Sequence, residues 1–490
     1  MSYEPKGSTP GLITERNQLT KVNTFPSVEF SIPPSDPPDQ IIKRCPSHRT
    51  QGDAVPEEKS GDEESQSMAS NDNEVSYPEG GLQAWLVVIG GFAASVVGFG
   101  IMNTVGIFND YLKQNDLKDY PESTVGWIFS IYVFLAFFCG IQIGPVFDAH
   151  GPRLLVLGGS VLMTLSMFLL GVCSEFWHFI IVFGVLGGVG SSLLFTPAFA
   201  AVGHFFFEKR ANSTGIAAAG GSFGGIIFPL MLQRMLPQVG FAWATRILGF
   251  IVIFCCVIAC LLIKSRLPRK PGQSVMPDFT IFRNFSYLLL TLGIFFMEWG
   301  LFIPITYLTS FAASSGSMSG EFSYQLIAIF NAGSCIGRWA PGYAADKLGR
   351  FNSMIAMLAL CAATTVTFWL PAAIIAPDSA SGNNATVVKT LTIVYAVIFG
   401  FASGSNISLV PVCVGQLCET NQYGRYYATC YTVVSFATLT GIPIAGKIIE
   451  TTGGEYWGTV IWTLCCYAMS LGCFVWSRTC LVGWKLAVKF

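Results

Sequence analysis

From residue 79 to residue 477 the chain alternates long apolar stretches with short polar breaks. Twelve stretches have the length and composition of helices that cross a bilayer: roughly 82–108, 124–147, 154–173, 176–203, 211–235, 241–263, 285–311, 322–345, 352–375, 387–415, 424–447 and 457–477. Several exceed the ~20 residues a hydrocarbon core needs, which predicts tilt or ends outside it. Residues 1–78 break the pattern. They hold ten of the 25 prolines and many Ser, Asp and Glu. Such a segment buries too little surface to offset its ordering entropy, so a disordered tail is expected there. The longest break, 264–284, contains "KSRLPRKPG" and follows the sixth stretch. The expected division is a tail (1–78), a six-helix half (79–263), a linker (264–284), a second six-helix half (285–477) and a short tail (478–490). The fold class is all-α: a polytopic membrane protein of twelve transmembrane helices in two halves.

Basic residues orient it. With both termini in the cytoplasm, the loops and tail on that side hold 14 Lys and Arg, against Lys113, Lys118 and Lys389 opposite. One polar break occurs twice. "GPVFDAHGPR" (144–153) joins stretches two and three, and "GYAADKLGR" (342–350) joins eight and nine, the same ordinal place in each half. Two parallel copies of a six-helix unit, with a solute site at mid-depth between them, are a transporter plan. In each turn a glycine (Gly144, Gly342) lets helices approach. An aspartate (Asp148, Asp346) is placed to accept hydrogen bonds at a neighbouring helix N-terminus. A second glycine (Gly151, Gly349) permits a left-handed stop, and an arginine (Arg153, Arg350) is placed to pair with an acid across the halves. These four charged residues are the candidate conformational latch. The alternative is an ordinary polar turn carrying a cytoplasmic arginine.

Composition agrees with a bilayer. Hydrophobic residues make up 52% and charged residues 12%, about half the charge of a soluble chain, and mean hydropathy is +0.54. The net charge of −1 argues neither for nor against nucleic acid, and with no basic stripe with interleaved aromatics no nucleic-acid partner is expected. The 15 cysteines form no CxxC pair and all but Cys45 lie in or beside apolar runs, as small buried hydrophobes do. His48, His150, His178 and His204 form no ligand set. No nucleophile–base constellation, metal cluster, cofactor motif or ATP-binding loop is present, so an enzyme and an ATP-driven pump are both disfavoured. The glycines of "GVLGGVGSS" (184–192) mimic a nucleotide loop but lie inside a span, with no strand before them. The polar opening of the chain predicts no cleavable signal peptide.

The second turn fits, through Gly342, Asp346, Gly349 and Arg350, the G-x-x-x-D-x-x-G-R loop of the major facilitator superfamily, which residues 79–480 resemble; the first has Pro152 inserted before Arg153. Two further stretches resemble the monocarboxylate transporter family within it, in its fungal branch. "PEGGLQAWLVVIGGF" (78–92) is similar to that family's first-helix signature through Glu79, Gly80, Gly81 and Trp85, with one extra residue before the tryptophan. "FFFEKRANSTGIAAAGGSFGG" (205–225) is similar to its fifth-helix signature through Lys209, Arg210, Gly215, Ala217, Ala219, Gly220 and Gly224. The resemblance implies the major facilitator fold, a small-molecule substrate and the plasma membrane. It also places Arg338 at the family's eighth-helix arginine. Proton-coupled members carry an acid four residues earlier, where Ser334 stands, and a first-helix lysine where Asn103 stands. Gly184 stands where drug antiporters carry an arginine.

Arg338 is eight residues from Asp346, about 12 Å along a helix, which sets it near mid-depth. A buried arginine there costs several kcal/mol unless paired or hydrated. Glu298, near the middle of stretch seven, is expected to face the same cavity and either balance Arg338 or carry a coupling proton. A purely structural pair is the competing reading. Arg338, Glu298, Asn103 and Ser334 are the candidate substrate-binding residues, with Trp299, Phe302 and Tyr307 completing a site larger than lactate requires. Arg234, Arg246 and Lys447 fall near span ends, where snorkelling accounts for them. Asn384, in the sequon Asn384-Ala385-Thr386 on the expected outer side, is a candidate glycosylation site.

The functional expectation is a secondary transporter of a small organic solute, a carboxylate-bearing metabolite, working by alternating access in the lipid bilayer. Export of a specialised metabolite is the alternative within the class. A transporter-like sensor that signals through its tail is the alternative outside it.

Overall fold

The first apolar stretch folds as one span, α1 (Leu82–Gln114), that breaks at Asn103 and Thr104. There the Asn103 side chain donates to Phe99 O at 2.8 Å and Thr104 Oγ1 donates to Ile101 O at 2.6 Å, each side chain adding a bond to a carbonyl that its own backbone N–H also reaches. The span runs six residues further than its apolar pattern. The computed structural model describes residues 77–267, 276, 278–378, 382–484 and 488, and among these there are helices and turns but no strands. Most of the expected N-terminal tail and part of the 264–284 linker therefore lie outside the described residues.

The remaining spans follow the apolar pattern closely: α2 (Thr124–His150), α3 (Arg153–Leu170) and α4 (Phe176–Gly203). The helical stretch Arg210–Leu262 turns at Gly240, whose φ of +75° suits glycine, dividing it into α5 (210–239) and α6 (241–262). The second half supplies α7 (Phe285–Ser314), α8 (Gly320–Leu348), α9 (Arg350–Ile375), α10 (Asn384–Val414), α11 (Thr420–Thr451) and α12 (Trp457–Val482). Counting α5 and α6 separately, this is the expected all-helical set of twelve. By length and composition α8 alone falls short of a membrane span, because it carries Asn331, Ser334, Arg338 and Asp346. Its polar face, with Asn331, Ser334 and Arg338, is buried against neighbours, while Ile336, Trp339 and Tyr343 stand exposed on another face.

Glycine controls how the two halves meet. Gly342 on α8 lies so close to α5 that a Cβ there would fall 2.6 Å from Ala211 O. Gly144 on α2 approaches α11 in the same way, with the Gly424 carbonyl occupying the space a Cβ would need. In the duplicated numbering α2 corresponds to α8 and α5 to α11, so both crossings use one device.

Candidate functional site

Both repeated turns sit at one end of the bundle. Gly151 and Gly349 end their helices with φ of +81° and +103°. Each aspartate then reaches the other half. Asp148 accepts from Gly424 N at 3.1 Å and Arg425 N at 2.8 Å, at the start of α11. Asp346 accepts from Ala211 N at 3.0 Å and Asn212 N at 2.9 Å, at the start of α5. A carboxylate thus meets the free N–H groups and the positive end of a helix twice over.

The arginines differ from the pairing expected of them. Arg350 donates to the Phe207 carbonyl and lies over the Phe207 ring, while Arg153 is exposed; among the described residues neither forms an ion pair. The reason is that both aspartates are already engaged by backbone amides. Glu79 accepts from the backbone N–H groups of Phe207 (2.6 Å), Glu208 (2.8 Å) and Lys209 (3.1 Å), and so holds the loop that Arg350 touches. The acid of the first-helix signature is a strap for the loop entering α5. In that loop His204 is buried against Arg210, and burial followed by that charge pushes its pKa down to about 3.

A cavity of about 680 Å³ lies between the halves. Its wall includes Asp110, Ser310, Lys447, Glu450 and Tyr456, all at the helix ends away from the turns, so the cavity opens at the end opposite the two aspartate turns. Glu450 is 25 residues beyond Arg425 on α11, about 37 Å along its axis.

All four candidate binding residues line this cavity. On α8, Ser334 and Arg338 share a face with Ile327 and Asn331, at helical spacing. Arg338, 3% exposed, donates through Nη1 to Ala218 O on α5 at 2.7 Å and through Nε to Ser334 Oγ at 3.4 Å, and it lies 5.7 Å from the Phe99 ring centroid. Those contacts leave Nη2 donor capacity unused. Ser334 Oγ also accepts from Ser222 on α5 at 3.0 Å. Glu298, 1% exposed, faces the cavity from α7 and forms no hydrogen bond or ion pair among the described residues, although Arg338 is near enough to act on it electrostatically. The two charges share a chamber without closing on each other.

Three expectations need correcting. Phe302 and Tyr307 line the cavity but Trp299 does not. It sits about 100° round the helix from Glu298 and packs on Trp462, 4.9 Å between centroids, and on Gly441. Lys447 is part of the cavity mouth, paired with Glu450 at 3.0 Å, where snorkelling into a lipid interface was expected. Asn384 is in the first turn of α10 and half-buried, where a loop was expected. Gly184 packs against Ile128 O on α2 and is not part of the cavity wall. The sequence reading missed Asn331, which is 2% exposed and seven residues before Arg338; that two-turn spacing is the signal that finds it.

The profile of the Major Facilitator Superfamily matches residues 87–388. Among characterised proteins the chain is similar to the riboflavin transporter MCH5 of Saccharomyces cerevisiae, 35% identical over 440 residues that cover 85% of this chain and 82% of that one. It is similar also to the fujikurins efflux protein of Gibberella fujikuroi, 33% identical over 81% of this chain and 82% of the relative. The aspyridones efflux protein apdF of Emericella nidulans is 34% identical over 77% and 74%. Among solved structures, the E. coli fucose:proton symporter FucP aligns with a TM-score of 0.59 at 15% identity, covering 80% of this chain and 98% of that one, a likeness of fold alone.

Proposed function

This chain belongs to the Major Facilitator Superfamily and is a membrane transporter, and from that premise we propose that it moves a carboxylate-bearing organic metabolite by alternating access, with Arg338 as the anion contact. The observation that carries the reading is the Arg338 guanidinium at the wall of a cavity open at one end. Its Nη2 has no partner among the described residues, and Phe99, Phe137, Phe302 and Phe330 line the same cavity. A fork of N–H donors in an apolar chamber is the arrangement that recognises a carboxylate on a larger apolar body. The volume fits a drug-sized solute, for which cavities of about 300–1,000 Å³ are usual.

In this reading the latched end is cytoplasmic, the termini lie on that side, and Asp148 and Asp346 hold it shut while the cavity exchanges solute with the other face. Glu298 supplies the titrating carboxyl if a proton is coupled. Placement in the monocarboxylate transporter family rests on Glu79, Trp85, Lys209, Arg210 and Arg338; the plasma membrane is the corresponding location. Export of a specialised metabolite is favoured by the similarity to the fujikurins and aspyridones efflux proteins. The test is untargeted metabolite profiling, inside and outside cells that carry the wild type, Arg338→Ala or neither. The reading expects an acid whose distribution shifts with the wild type and not with Arg338→Ala. An unchanged acid pool, or one shifted equally by both chains, rejects it.

A further inference from the structure

The break in α1 and the middle of α8 bring two carboxamides together at the cavity wall. Asn103 Nδ2 donates to Phe99 O, and Asn331 Nδ2 donates to Ile327 O at 3.0 Å and to Asn103 Oδ1 at 3.5 Å. A backbone carbonyl only accepts, so Phe99 O and Ile327 O each face the amide nitrogen and dictate which way both side chains point. The oxygens are left for other partners. Asn331 Oδ1 accepts no hydrogen bond from the described residues, and Asn103 Oδ1 takes only the long contact from Asn331. Gly225 on α5 makes the room, since a Cβ there would fall 2.6 Å from Asn331 Oδ1 and 3.0 Å from Asn103 Cγ. Three helices from both halves build this feature, and both asparagines line the cavity.

We propose that the Asn103–Asn331 pair is a specificity subsite that accepts an O–H or N–H donor carried by the substrate beside its acidic group. The proposal rests on the reading of Arg338 as the anion contact. Arg338, two helical turns along α8, offers donors; the amide pair offers acceptors. A solute with both an acidic oxygen and a neighbouring donor matches the two poles at once. A bare carboxylate satisfies Arg338 and leaves the amide oxygens unpaired once the chamber closes, which is where hydrogen-bonding sites discriminate most strongly.

The experiment compares binding of 3-phenyllactate and 3-phenylpropanoate, which differ by one hydroxyl, to the purified full chain by isothermal titration. The wild type is expected to bind the hydroxy acid about tenfold more tightly, one hydrogen bond's worth of discrimination. Asn331→Leu is expected to bind the two acids equally, and an unaltered melting temperature and size-exclusion profile report that it folds. Gly225→Ala, which displaces Asn331 Oδ1 from another helix, is expected to lose the preference too. Equal binding of the two acids by the wild type, or an undiminished preference in Asn331→Leu, overturns the subsite while leaving the Arg338 reading intact. Failure of the wild type to bind either acid, or binding unaffected by Arg338→Ala, rejects the Arg338 reading and the subsite with it.

Discussion

Two charged side chains share the cavity without bonding each other, and that fact governs the residue scale. Arg338 is held by the Ala218 carbonyl and Ser334, so its position does not depend on Glu298. Arg338→Lys keeps the charge but loses the planar fork, and it is expected to raise the half-saturating solute concentration about tenfold or more in vesicle uptake. Glu298→Gln keeps the shape and removes the ionisable group. Counterflow exchange is expected to survive in that variant while accumulation driven by a pH gradient disappears. Equal loss of both modes would mark Glu298 as structural. The pair was legible because charges are rare inside apolar spans. Asn331 was not, because an uncharged amide hardly disturbs an apolar pattern and only its register with Arg338 singles it out. Trp299 was misplaced because neighbours in sequence point about 100° apart on a helix, so adjacency to Glu298 said nothing of the cavity.

Helix ends do the work at the next scale. Each turn's aspartate caps the first turn of a helix in the opposite half, an interaction of about 1 kcal/mol per cap at helix N-termini generally. Losing both, in Asp148→Ala with Asp346→Ala, is expected to release the latched end. Cys413 is a built-in reporter there: it is fully buried and electrostatically coupled to Arg350. Its maleimide labelling is expected to speed up several-fold in the double variant, against no change if the caps are decorative. His204 predicts a pH effect. Its folded pKa lies near 3, below the ordinary value of 6.5, so between those limits the unfolded chain binds the extra proton and stability falls as pH falls. The slope is about 1.4 kcal/mol per pH unit. Thermal melting in detergent is expected to drop between pH 7 and pH 5, and His204→Gln to flatten that drop. The turns were readable in sequence because glycine and aspartate recur in register. The arginine partners were not, because sequence supplies an acid without saying that backbone amides have already taken it.

The account of the whole molecule is that two similar halves share one cavity and close one end at a time. Twelve spans and their duplication could be read from apolar length and one repeated turn, since bilayer thickness leaves few alternatives. Which end stands open could not, because it depends on crossings such as Gly144 with α11 and Gly342 with α5, seen only when the helices are assembled. The most direct test is a pair of spin-label distances in lipid nanodiscs, with the native cysteines replaced. One pair, Arg153→Cys with Leu348→Cys, spans the latched end, and the other, Gln114→Cys with Glu455→Cys, spans the mouth; all four sites are exposed. Combining each pair with Asp148→Ala and Asp346→Ala is predicted to lengthen the first distance and shorten the second. Two distances that change in the same sense, or a mouth that stays put while the latched end opens, would contradict it.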